Sequence, residues 1–129
     1  MAKFSAGLYR ILNWLFVIGV VVQVFLVGMV VVARQSDWEA HIGLGHALGL
    51  PLILMLITMY LAKANSKVKR TTWILFLVYI LQADVIIFLR ESVPLVSAFH
   101  PVLALIDFWL GVMLLRESSN GEAFASAPA

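Results

Sequence analysis

Three histidines and two aspartates lie in or at the edge of stretches that are otherwise almost wholly apolar: His41, His46, Asp84, His100 and Asp107. An ionisable side chain at mid-membrane depth costs at least about 2.5–3.5 kcal/mol, so such groups need partners or a ligand. At 1.5 Å per residue, His46 and Asp84 fall roughly 7–8 Å below one membrane surface, and His100 falls roughly 9 Å below it. Three helices thus each bring an ionisable group to one level. Asp107 is deeper, at roughly 20 Å. Two neutral imidazoles from two helices are a frame for axial ligation of a haem b. In that reading His46 and His100 hold the iron, Arg34 and Arg90 meet the propionates, and Asp84 accepts the free N–H of a histidine. Gly43 and Gly49, three residues either side of His46, clear room for a planar group. The competing reading is structural: the histidines hydrogen-bond across helices to Asp84, to Gln23, to Gln82, or to backbone freed by Pro101.

His41 is the alternative ligand from the second helix. It lies about 500° round the helix from His46, hence on another face, and it also reads as an interfacial loop residue. The chain holds no HExxH motif and no histidine pair spaced i, i+4, which leaves a non-haem metal cluster poorly provided for. A third chemistry is a proton, cation or quinone site built on Asp84 and the histidines, with Asp107 further along. His100, Ala104, Asp107 and Gly111 follow i, i+4, i+7, i+11 and should share an inward face.

The elements that must position these groups follow from composition. Of 129 residues, 63% are hydrophobic and 12% charged. That is about half the charge of an ordinary soluble domain, which rules out a soluble enzyme and a disordered chain. Cysteine is absent, so disulfides, thiolate metal sites and covalently attached haem drop out. Four apolar runs, at about 11–33, 41–62, 71–89 and 94–115, are each long enough to cross a bilayer as a helix. Continuous apolar character argues against barrel strands. The first run is too long for a signal peptide, so it reads as a retained helix. Short connections make antiparallel neighbours, and the expected fold is an all-α, up-down-up-down four-helix bundle over residues 1–116. Residues 117–129 read as a flexible tail. Pro51 and Pro101 should each kink a helix.

Basic residues set the expected orientation. Lys3, Arg10, Lys63, Lys67, Lys69, Arg70 and Arg116 fall on one side, whereas Arg34 and Arg90 fall on the other. The positive-inside bias places both termini and the middle loop in the cytoplasm, in a multi-pass protein of the inner (cytoplasmic) membrane. The basic residues are read as topology signals, with the cluster Lys67, Lys69, Arg70 as a weaker lipid contact, and not as a nucleic-acid site.

Several short motifs carry a resemblance. They are Val22-Gln23-Val24-Phe25-Leu26, an outer Trp38 followed by His41-Ile42-Gly43-Leu44-Gly45-His46, the late Gln82, and Phe99-His100-Pro101-Val102. Together they resemble a family of small bacterial four-helix membrane proteins catalogued as a domain of unknown function. The resemblance implies that Gln23, a histidine of the second helix (His41 or His46) and His100 belong to one pattern. It implies no activity. The function expected from the residues is a non-enzymatic haem b electron carrier. The alternative is an accessory or structural subunit packed in the bilayer against a larger membrane complex.

Overall fold

The computed structural model describes residues 1–124. Four helices carry the chain: α1 (Ala2–Ala33), α2 (Glu39–Leu61), α3 (Ser66–Phe88) and α4 (Pro94–Ser119). Each is long and apolar enough to cross a membrane, as expected of a multi-pass membrane protein. α1 packs against α2 and α4, and α3 packs against the same two. The helices therefore ring a common core in chain order.

Three boundaries differ from the sequence reading, one of them the start of α3, at Ser66 rather than about residue 71, where Asn65 supplies the cap. α1 begins at Ala2 rather than near residue 11, because its first turns are already packed: Ala6, Tyr9, Leu12 and Asn13 are buried and continue the face of Phe16, Val17 and Val20. α4 runs on to Ser119, beyond the expected end at 115, with Glu117 and Ser118 buried. Of the expected tail from 117, residues 120–124 fold back over the α2–α3 connection, and 125–129 lie outside the described residues. Asn65 organises this fold-back. Its side chain caps α3 by accepting from Val68 N–H at 3.0 Å. Its amide donates to the Glu122 carbonyl at 3.1 Å, and its backbone N–H donates to Ala123 O at 2.9 Å. Lys67 pairs with Glu117 at 3.1 Å across the same junction. Arg10 Nε donates to Ser118 O at 2.8 Å.

In lipid there is no hydrophobic force between helices, so association rests on close packing and polar contacts. Gly111 of α4 lies where a Cβ would stand 2.7 Å from Val17 Cγ2, and Asn13 of α1 donates to the Gly111 carbonyl at 3.1 Å. Across the diagonal, Tyr9 and Thr72 share a hydroxyl hydrogen bond of 2.6 Å, and the Phe16 and Tyr79 rings meet edge-on. The stripe His100, Ala104, Asp107, Gly111 does face inward, half-buried at its start and buried from Asp107.

The two ends differ. Leu12, Phe16, Leu52, Met55, Leu75 and Leu114 form a closed core toward the end that carries most of the basic residues. Toward the histidines no residue between Val20 and Leu48 is buried, and between Tyr79 and Asp107 only Ile86 is. All four helices are irregular in or at the edge of this half. α1 ends in a π-turn at Met29–Ala33, and α3 contains another at Leu81–Val85. α2 breaks at Leu48 and α4 at Ala98–Phe99. The breaks follow from Pro51 and Pro101, which have no N–H to offer the carbonyls of Ala47 and Ser97.

Two outcomes test this packing. Gly111→Ala should destabilise the bundle by about 1–3 kcal/mol through overpacking, whereas Gly43→Ala, with nothing within 4 Å of the added carbon, should be neutral or slightly stabilising; unfolding by SDS titration in mixed micelles measures both. Asn65→Ala should cost about 1–2 kcal/mol as a lost cap and speed amide exchange at Ala123.

Candidate functional site

The open half of the bundle converges on two glutamines and two histidines. α1 supplies Gln23, α2 His41, α3 Gln82 and α4 His100, all half-buried. Each glutamine serves the histidine of its own hairpin. Gln23 Nε2 donates to the His41 carbonyl at 2.9 Å. Close approach of the two helices is built in, since a Cβ on Gly45 would lie 2.9 Å from that same Nε2. In the other hairpin, His100 Nδ1 donates to the Gln82 carbonyl at 3.0 Å, in the π-turn of α3. A π-turn replaces the i→i−4 pattern by i→i−5, as where Ile86 N–H reaches Leu81 O. The Gln82 side-chain amide lies 3.3 Å from His100 Nε2 and donates to it.

The hairpins meet where the His41 and His100 rings stand edge-on, with centroids 6.2 Å apart and planes at 72°. This contact runs along the α2–α4 diagonal, whereas the closed half is crossed along α1–α3. Trp38 packs edge-on against His41, with ring centroids 5.6 Å apart. Two atoms in the cluster are buried without a hydrogen-bond partner among the described residues: His41 Nδ1 and Gln23 Oε1. Such atoms are costly unless a donor, a water or a ligand satisfies them.

The expected site residues are thus rearranged. The α2 histidine facing His100 is His41, and His46 is exposed. The reason is rotation about the α2 axis. Gly19 sits against Leu48, Gly45 against Gln23, and Gly49 against the Tyr79 hydroxyl, which donates to the Gly45 carbonyl at 2.7 Å. These contacts turn residues 45, 48 and 49 toward the bundle. Gly49 therefore makes room for Tyr79 rather than for a planar group, and Gly43 faces open space. Asp84 is exposed, and neither histidine ring bonds to it. Arg34 and Arg90 are exposed at the histidine end; Arg90 lies 4.0 Å from Glu91 in a solvent-facing pair. Asp107 is buried within the closed half, with Oδ1 unpartnered among the described residues. The sequence reading missed the part of Tyr79 in orienting α2; its position one turn before Gln82 is the signal the sequence carries.

Two imidazoles, one with its ring fixed by a backbone carbonyl and one with a free nitrogen, can ligate a metal or exchange a proton. Among the described residues no three His, Asp or Glu side chains converge on a metal position. The chain has no native cysteine, so paired substitutions test the geometry directly. H41C/H100C should be bridged by a short bifunctional thiol reagent and H46C/H100C should not; equal bridging of the two pairs would contradict this register.

No curated protein and no solved structure matches the chain. The matched family segment begins at the first glutamine of the cluster, contains His41 and Gln82, and stops before His100. Residues 23–86, about half of the chain, match the model of a family of unknown function (DUF6220).

Proposed function

We propose that the histidine end of the bundle binds haem b between His41 and His100 and that the protein is an electron carrier in the membrane. One observation carries this reading: two imidazoles from diagonally opposed helices, 6.2 Å apart between ring centres, in the half of the bundle that lacks a closed core. His41 and His100, one imidazole from each of two helices, are the residues that would hold such a group. The donor set also fits the chemistry of haem iron, which takes neutral imidazole.

The residues divide the work. His100 Nδ1–H is committed to the Gln82 carbonyl, which leaves the lone pair on Nε2, and the Gln82 amide now donating to that nitrogen is the group a ligand would replace. His41 Nδ1 has no partner to give up. Trp38 stands edge-on to His41 and would flank the group. Arg34 and Arg90, exposed at this end, are cations suited to the carboxylates of the group. When bound, haem supplies one-electron transfer. The basic-residue bias supports a site toward the outer face of the membrane.

The purified protein should be red, with a Soret band and a reduced-minus-oxidised α-band. His41→Ala and His100→Ala should each abolish the bis-histidine spectrum, whereas His46→Ala should retain it. A colourless, folded preparation from haem-replete cells overturns the reading and favours a packing subunit of a larger complex.

A further inference from the structure

The opposite, basic end carries a second candidate site, on the seam between α1 and α4. A cavity of about 230 Å³ opens there, bounded by Lys3 and Arg10 of α1 and by Asn120 and Phe124 beyond α4. One helical turn further along α1, a groove of about 390 Å³ runs between Trp14 and the Val112, Leu115 and Arg116 stretch of α4. Arg10 and Trp14 are spaced i, i+4 and so share a face. The two openings therefore follow one another, charged at the end of the bundle and apolar toward the membrane middle.

We infer that this seam seats an anionic phospholipid of the adjoining leaflet. Its phosphate would lie among Lys3, Arg10 and Arg116, with one acyl chain along Trp14, Val112 and Leu115. Charge complementarity is the first argument. Among the described residues the ion pairs are Lys67–Glu117 and Arg90–Glu91, and neither takes any of these three cations. Glu117, the acid next to Arg116 in the chain, is committed to Lys67 on α3. The orientation of Arg10 is the second. Its Nε donates to Ser118 O, and its guanidinium lies 5.5 Å over the Phe124 ring. The side chain is thereby held at the cavity, and its remaining N–H donors suit a phosphate. The shape of the seam is the third. Val112 and Leu115 are half-buried and Trp14 is half-exposed, an apolar track leading away from the cations under a tryptophan of the kind that sits at headgroup level. A free phosphate would use only the charged end.

Native mass spectrometry of the full chain in neutral detergent tests this. Phosphatidylglycerol should be retained at one molecule per chain, more strongly than phosphatidylcholine, and should not be displaced by inorganic phosphate. K3Q/R116Q should weaken retention about fivefold per cation removed, with helical circular dichroism unchanged. K69Q/R70Q, which removes cations outside the seam, should leave it unaltered. Equal retention of the two lipids by the unaltered protein overturns the inference without need of any variant. Equal weakening by the two double substitutions also overturns it, and displacement by inorganic phosphate shows a bare anion site instead. None of these outcomes depends on whether haem binds at the other end.

Discussion

Backbone carbonyls released by irregular helices must find donors when hydrocarbon surrounds the protein, and the histidine end of this bundle is organised by that requirement. A lipid-facing helix can satisfy its own backbone only while it stays regular. Here all four helices depart from regularity in or beside one half, through π-turns in α1 and α3 and breaks in α2 and α4. Side chains donate to carbonyls in and near these interruptions: His100 to Gln82 O within the π-turn of α3, and the Tyr79 hydroxyl to Gly45 O just before the break in α2. Gln23 donates to His41 O, in the regular first part of α2. Gln23 and His100 are also candidate site residues, so the structural and functional readings of the histidines describe the same bonds. What the structural reading leaves unaccounted for is His41 Nδ1 and Gln23 Oε1, buried without partners among the described residues.

The closed half works by the opposite principle. Small residues bring backbones together, as Gly111 does against Val17 and Asn13, and a few buried polar contacts fix the register. The fold-back of residues 120–124 adds a clasp between the chain's end, α1 and the α2–α3 connection. Close packing at this end sets the spacing of the hairpins, whose other ends meet through two imidazole rings. A site built on diagonal helices benefits from such a fulcrum, because a ligand bridging α2 and α4 needs both hairpins held in register.

Much of this was legible in the residues. The four apolar runs, the inward stripe from His100 to Gly111 and the interruptions caused by Pro51 and Pro101 follow from element length, helical period and the missing proline donor. Gln23, Gln82 and His100 stood out because polar groups in apolar helices are expensive. The early start of α1 was obscured by Lys3 and Arg10, which read as flanking charges. In the structure Arg10 snorkels from a helix whose inner face is already packed through Ala6 and Tyr9.

The sequence by itself determined that the chain is all-α, with four helices long and apolar enough to cross a membrane, and which few polar side chains they must accommodate. Hydrophobic run length and the cost of polar groups in lipid are properties of residues, independent of their neighbours. Only the tertiary structure decided which of those groups meet. His41 and His46 are equally histidine, roughly 7–8 Å apart along the helix axis, and they lie on different faces of α2. The choice between them depends on how α2 is rotated, and that rotation is set by close contacts with other helices: Leu48 at Gly19, Gln23 at Gly45 and Tyr79 at Gly49. Spacing along one helix carries no record of such contacts, so the pairing of His41 with His100, and the exclusion of His46 and Asp84, emerges only when the helices are packed.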